Sequence, residues 1–396
     1  MTPKFKIASL FSGCGGLDLG FTGGFSFLNN NFEKLPTEVV FANDFDKDAT
    51  TCYNSNELLV SDGAKCLLED IRNINAEDIP DFDILLAGFP CQPFSNAGNR
   101  KGVNDDNGRG TLFEECERII RHKVEIGKTP TAFVFENVRG ILSSKMPDGT
   151  AVPTEIKNRM EKLGYKVSVK LVKASDYGVP QNRYRVLIVG VIAEKGEFDF
   201  SSMDKLVADR QIPSVASGNY GSLLLGTILK ELDNLPDSEY WEYSKGTQQT
   251  IDMIGGCEHG IDALKLFGTN VNPDKLPSIV FEGRSWKNIP PEKLSPRFRK
   301  IYDDPKKYHS PKFFRRFAFG EINGTITASA QPENCGITHP VYDRRYTVRE
   351  IARIQSFPDN YVFSSIPLQS RYKVIGNAVP PILGWVIAKS LLEHIK

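Results

Sequence analysis

Short apolar runs alternating with polar, helix-periodic segments mark the first half of the chain. "KIASLF" (6–11), "EVVFAND" (38–44), "FDILLAGFP" (82–90) and "TAFVFENV" (131–138) have the length and composition of buried strands, and "VSVKLVKA" (167–174) and "YRVLIVGVI" (184–192) add two more. Between them, "DATTCYNSN" (48–56) predicts a helix. "LFEECERIIRH" places Leu112, Cys116, Ile119 and Ile120 on one face, and "TEIKNRMEKLGY" does the same with Ile156, Met160 and Leu163 before stopping at Gly164. Strands alternating with helices predict an α/β domain, a mostly parallel sheet with helices on both faces.

Beyond about residue 195 the alternation stops. The stretch to about residue 345 is rich in Gly, Pro, Ser and Asn and reads as a second, smaller, irregular domain. Order returns at "YTVREIARIQSFPD" (346–359), a helix closed by Pro358, and at "PPILGWVIAKSLLEHI" (380–395), whose paired prolines suit a helix start. The last segment's apolar content predicts that it packs back on the first domain. The expected division is 1–195 completed by 368–396, an irregular domain over 196–345, and a connecting segment over 346–367.

Composition narrows the partners. Among 396 residues, 49 Lys and Arg balance 49 Asp and Glu, so a polyanionic partner requires a local concentration of positive charge. Residues 292–316 hold nine Lys and Arg against three Asp and Glu, with aromatics interleaved, and Arg344 and Arg345 lie nearby in sequence. Phosphate contact and a solvated charged face both fit this pattern. No apolar run approaches the roughly 20 residues of a membrane span, so no membrane association is expected. The seven cysteines are scattered and never spaced as CxxC, which predicts free thiols in a reducing cytoplasm and no metal site. Cys257 and His259 form a CxH pair without a second pair to complete a zinc site.

Several residues stand where chemistry is done. Cys91, in "AGFPCQPFS", follows a strand ending in Gly88 and Pro90, at the sheet edge where open α/β folds bind ligands. The loop after it carries Arg100, Lys101 and Arg109 among four glycines, as a lid or as a solvated surface loop. "LFSGCGGLDLGF" sets Gly13, Gly15 and Gly16 between a strand and a helix, letting a ligand approach the backbone or simply making a tight turn. Asp44 ends the second strand, where this architecture hydrogen-bonds a ribose. Glu136 ends a strongly apolar strand. Desolvation would raise its carboxyl toward a proton donor's range, although it could also cap the following turn. Arg183 and Arg185, two apart, read as paired guanidinium groups on one side of a strand, suited to a carbonyl or phosphate oxygen or to a salt-bridged edge.

Taken in order, "FSGCGG", "ANDFDKDA", "LEDI", "AGFPCQPFS", "FENV", "QNRYRV", "RYTVREIARIQSFPD" and "VIGNAVPP" resemble the motif series of the C5-cytosine-specific DNA methyltransferases, of bacterial restriction–modification type. They span residues 11–381, with one long irregular stretch that matches the family's target-recognition region. The resemblance implies a Rossmann-like S-adenosylmethionine-dependent sheet, double-stranded DNA as substrate, a monomer, and a companion restriction endonuclease. Carried over position by position, it makes Cys91 the nucleophile on C6 of a flipped cytosine. Glu136 becomes its contact at N3 and the amino group, and Arg183 and Arg185 flank the pyrimidine. For S-adenosyl-L-methionine it implies Phe11 and the glycine turn, Asp44 on the ribose, Phe45 stacking on adenine, Asp70 at the adenine amino group, Gly88 and Pro90 beside the nucleophile, and Asn377 near the methionine end. Two other readings share these motifs: a methyltransferase acting on RNA cytosine, and a DNA-binding relative without catalysis. A cysteine hydrolase would need a partnering histidine, and none of the five stands in a motif-like context.

Overall fold

The computed structural model describes residues 4–61, 63–89, 112–232, 235–257, 283–304 and 313–396. In chain order the first part runs β1 (Phe5–Leu10), α1 (Gly16–Thr22), a small hairpin of β2 (Phe25–Phe27) and β3 (Asn30–Phe32), β4 (Thr37–Asp44), α2 (Lys47–Asn54), α3 (Glu57–Val60), β5 (Cys66–Leu68), β6 (Ile84–Ala87), α4 (Phe113–Glu125), β7 (Ala132–Val138), α5 (Val152–Lys162), β8 (Tyr165–Lys173), β9 (Gln181–Asn182), β10 (Tyr184–Ile192) and α6 (Ser201–Asp209). Seven strands make one sheet in the order β5-β4-β1-β6-β7-β10-β8. All neighbours are parallel except those of β10, which runs antiparallel to both β7 and β8.

The strands form because their apolar runs are buried on both sides; Ile84, Leu85, Leu86 and Ala87 are all fully buried. Period-2 alternation sends Ala8, Leu10, Leu85, Ala87, Phe133 and Phe135 into one cluster with Cys116, Ile119 and Ile120 of α4 and Ile156 and Met160 of α5. Phe133 lies across β10 because its register partner there is Gly190, where a Cβ would fall 2.0 Å from the ring. The odd positions of β1 face α1: Ser9 donates to the carboxylate of Asp18 on that helix. The C-terminal helix, Pro381–Ile395, crosses α1 at two glycines, where a Cβ on Gly20 would lie 2.6 Å from Gly384 Cα. Two backbones meet there with no side chain between them.

By its internal contacts the chain forms two units. One comprises residues up to Gly178, Tyr184–Ile212 and Ala378–Lys396; the other comprises Val179–Arg183 and Pro213–Asn377. The first therefore keeps the chain to Ile212 rather than 195, because α6 buries Met203, Leu206 and Val207. It resumes at Ala378 rather than 368, and the expected connecting segment, 346–367, falls inside the second unit.

Among its described residues the second unit consists of short helices and connecting loops with one two-stranded pairing. Its β11 (Asn323–Gly324) adds to β9, and a small core gathers Ile251, Ile254, Trp286, Ile289, Phe298, Ile301 and Phe314. The helix at Val348–Ile354 is fully buried and begins with a capping box between Thr347 and Glu350. Buried arginines hold the surrounding loops. Arg349 donates to the carbonyls of Pro236 (3.1 Å), Pro358 (3.1 Å) and Tyr361 (2.7 Å) and pairs with Asp237. Arg345 reaches the carbonyls of Trp241 and Glu242 (both 2.7 Å) and of Ala330 (3.2 Å). Arg316 reaches those of His339 (2.7 Å) and Tyr342.

Candidate active site

The turn after β1 is shaped by its backbone. Phe11, Gly13 and Gly15 take left-handed φ of 55°, 58° and 81°. Only glycine fits at 15, where a Cβ would fall 2.3 Å from Leu59 Cδ1; at 13 a Cβ would meet nothing within 4 Å among the described residues. Gly16 begins α1. Asp44, at the end of the adjacent strand, accepts hydrogen bonds from the backbone N–H of Gly13 (2.8 Å) and of Asp46 (2.8 Å). Burial raises its carboxyl above the ordinary value, and those two amides oppose the shift. Next to it, Phe45 leaves 63% of its surface exposed, an apolar ring turned to solvent at the mouth of the turn. Asp70 caps a short 3₁₀ turn, and Arg72 grips its carboxylate through Nε (2.9 Å) and Nη2 (2.6 Å), which holds the carboxyl below its ordinary value.

Gly88 follows β6 at the same end of the sheet. A Cβ there would lie 3.8 Å from Glu136 Oε2 and 4.0 Å from the Phe11 carbonyl oxygen. The glycine turn, the start of the "GFPCQ" segment and Glu136 thus converge on one point. Pro90, Cys91 and the basic loop after them lie outside the described residues. Glu136 is buried, and its Oε1 stands 2.6 Å from Arg185 Nε. The register explains the pair: Glu136 faces Leu187, and Arg185 is the diagonal neighbour on the same face. Glu136 is thus buried at the end of its apolar strand, and a guanidinium rather than apolar surface faces its carboxylate.

Arg183 departs further from expectation. It precedes β10, is 1% exposed, and donates to the carbonyls of Ile326 (3.0 Å) and Gly376 (3.0 Å), so it does not share a strand face with Arg185. Asn377 ends the helix Leu368–Asn377, exposed, in the second unit; a Cβ on its neighbour Gly376 would fall 2.5 Å from the backbone of Thr327. Phe11, Gly13, Asp44, Gly88, Glu136 and Arg185 come together within the first unit; Arg183 and Asn377 belong to the other. The basic segment is also less free than its sequence implies. Arg315 pairs with Glu321, Arg299 with Asp303 (3.2 Å) and Arg344 with Glu350 (2.7 Å), and Arg316 and Arg345 are buried.

Two polar residues that sequence reasoning passes over lie under the turn. Asp18 is fully buried and accepts from Ser9 Oγ (2.6 Å) and Tyr53 OH (2.9 Å), and burial pushes its carboxyl up to about 6. Asn43 is the other, 1% exposed in an otherwise apolar strand end. Each interrupts an apolar run at a position that periodicity assigns to the interior, which is the signal that could have found them.

A profile of the C-5 cytosine-specific DNA methylases matches residues 5–393. The chain belongs to the C-5 cytosine-specific DNA methylase family. Among relatives of this methylase, the Type II methyltransferase M.FnuDI of Fusobacterium nucleatum is 32% identical over 398 residues, 98% of this chain and 95% of that protein. M.NgoFVII of Neisseria gonorrhoeae is 32% identical over 395 residues, covering 98% and 87%. Two solved structures share the fold. One is described as a DNA modification methyltransferase encoded within a prophage (E. coli; TM-score 0.59, 22% identity, 98% and 99% covered), and the other is the S. pombe Dnmt2 methyltransferase (TM-score 0.56, 16%, 98% and 99%).

The methylase transfers a methyl group from S-adenosyl-L-methionine to cytosine C5 in DNA. The residues of its turn are of the kind that would hold that cofactor: no described residue crowds Gly13, and a buried carboxylate at Asp44 and an exposed ring at Phe45 stand at the end of the adjacent parallel strand.

Proposed function

We propose that Cys91 is the nucleophile of this methylase and that Glu136, oriented by Arg185, is its partner on the cytosine ring. The observation that carries this reading is the 2.6 Å pair between Glu136 and Arg185, reached by Gly88 three residues before the thiol. Carbon 5 of cytosine is a poor nucleophile. Addition of the Cys91 thiolate to C6 turns the ring into an enamine whose C5 can attack an electrophilic carbon. Charge flows toward N3 as that bond forms, and Glu136 stabilises it with a proton or strong hydrogen bond there. Arg185 keeps that carboxylate in one rotamer. S-adenosyl-L-methionine supplies an electrophilic methyl group. After transfer, the C5 proton leaves and Cys91 departs from C6, restoring the aromatic ring and the thiolate.

The turn from Phe11 to Gly16 would hold the cofactor, with Asp44 available to the ribose hydroxyls, Phe45 to the adenine face and Asp70 to the 6-amino group. Carbon 6 is inaccessible inside a duplex, so the target base is extruded, at a few kcal/mol that protein contacts must offset. The second unit supplies those contacts and reads the site. Given Type II methyltransferases among its relatives, the protein acts as a monomer in a bacterial cytoplasm and protects sites cut by a companion endonuclease.

The test is a covalent trap. Expression in a host without cytosine methylation, followed by bisulfite sequencing, maps the site. Duplexes carrying 5-fluorocytosine there should then accumulate an adduct at Cys91 with cofactor present. Absence of the adduct, with normal binding of both ligands, removes Cys91 from this role.

A further inference from the structure

One buried residue links all three segments assigned to the cofactor through its backbone and side chain together, although no motif role falls on it. Asn43 lies in β4, one residue before Asp44. Its backbone exchanges hydrogen bonds with the glycine turn: Ser12 N–H donates to the Asn43 carbonyl (3.0 Å), and Asn43 N–H donates to Ser12 Oγ (3.3 Å). Its side-chain Nδ2 donates to the carbonyls of Leu67 (3.1 Å) and Glu69 (2.8 Å), on the strand end that leads directly into Asp70. β5 is the edge strand of the sheet and pairs with β4 for only three residues, from Ala42↔Cys66 to Asp44↔Leu68. Leu67, Leu68 and Glu69 are exposed, and packing resumes only at Ile71, which is buried in the core and whose carbonyl accepts from Arg118 (3.2 Å). Beyond the ladder, the Asn43 carboxamide and one bond from Glu69 N–H to the Asp44 carbonyl (3.2 Å) tie that segment to the sheet.

We propose that Asn43 is a positioning residue that sets the register of the Asp70 segment against the glycine turn and Asp44, and so gives the site its preference for a 6-aminopurine. The inference rests on the reading of Asp70 as the adenine ligand. A carboxamide suits the task because both of its N–H groups point at consecutive outward carbonyls, which no aliphatic side chain of that volume can satisfy. Without it, two carbonyls lose their donor, and the span between the short ladder and buried Ile71, which carries Asp70, loses its fixed register. Asn43 itself never reaches the ligand in this role.

The experiment uses the full chain and two probes, S-adenosyl-L-homocysteine and S-inosyl-L-homocysteine, which differ in the 6-amino group. Binding is measured calorimetrically for wild type, Asn43→Ala and Asp70→Ala. Wild type should prefer the adenosyl compound. Asn43→Ala should weaken that compound about ten-fold and bring the preference down to that of Asp70→Ala. Its KM for the methyl donor should rise more than kcat falls, and amides of 66–70 should exchange faster while those of β1 and β7 stay protected. If Asn43→Ala keeps the wild-type preference, the role given to Asn43 is wrong and Asp70 stands. If wild type itself shows no preference, the reading of Asp70 fails and this inference fails with it. Should the alanine variant not fold, Asn43→Ser, with a single short donor, carries the same measurements.

Discussion

The sheet-bearing unit and the irregular unit use their charged side chains in opposite ways. In the first, ionisable groups collect at the carboxyl ends of strands, where Glu136 meets Arg185 and Asp44 caps the glycine turn. In the second, Arg183, Arg316, Arg345, Arg349 and Arg353 turn inward and spend their N–H groups on backbone carbonyls. The reason is hydrogen-bond supply. A sheet satisfies its own carbonyls through the ladder, whereas irregular chain buries carbonyls with no ladder to serve them. A guanidinium offers five donors in a rigid fork, so one arginine can serve several such groups at once. Arginine in a domain of this kind is first a building material, and its abundance is a poor count of phosphate contacts.

The largest test of that contrast is on the catalytic side. Cys91→Ala should reduce methyl transfer about 10⁴-fold or more while cofactor affinity stays near wild type. A variant that still turns over would leave the strand-end cluster without a chemical purpose. Next, Arg349→Ala should destabilise the protein by about 3–5 kcal/mol in urea unfolding, because it leaves three buried carbonyls without their donor and Asp237 with Arg371 as its remaining counter-charge. An unchanged midpoint with lost DNA binding would place this arginine among the DNA contacts instead.

Asp18 tests the interior of the first unit through pH. Its carboxyl titrates near 3.8 in the unfolded chain and near 6 when folded. The folded state therefore holds the proton more tightly. That stability is fully present below about pH 4 and is lost as pH rises through 6, amounting to about 3 kcal/mol. Asp18→Asn should flatten stability between pH 4 and 6 and be no less stable than wild type at about pH 7.5. A retained slope would assign it to another group. Arg185→Ala should lower kcat about 10²-fold and also lower the melting temperature, because it leaves the buried Glu136 carboxylate without its counter-charge. The smallest effect belongs to the exposed residues of the basic segment. Arg297→Ala and Lys300→Ala should each reduce the salt dependence of DNA binding by about one unit of slope if they contact phosphate.

The strands and the glycine turn are legible in the sequence because burial on both faces and positive φ leave marks on residue type. "FDILLAGFP" could hardly be anything but an interior strand, and Gly15 could be no other residue. Partners are not legible. Spacing alone makes Arg183 and Arg185 look like twins, yet a two-residue strand ending at Asn182 sends the first to Ile326 and Gly376 and leaves the second to Glu136. The helix at Leu368–Asn377 is hidden for a related reason: its glycine and asparagine read as a loop motif until Gly376 is seen packed on Thr327. Asn43 and Asp18 escape notice because a polar residue in an apolar run carries no sign of its bonding partner.

The crossing of Gly20 and Gly384 has a consequence for how the enzyme is made. α1 leaves directly from the cofactor turn, but the helix it packs against is translated only after nearly all the rest of the chain. A chain cut before Pro381 would therefore lose the surface on which α1 packs and turn that face of α1 to water.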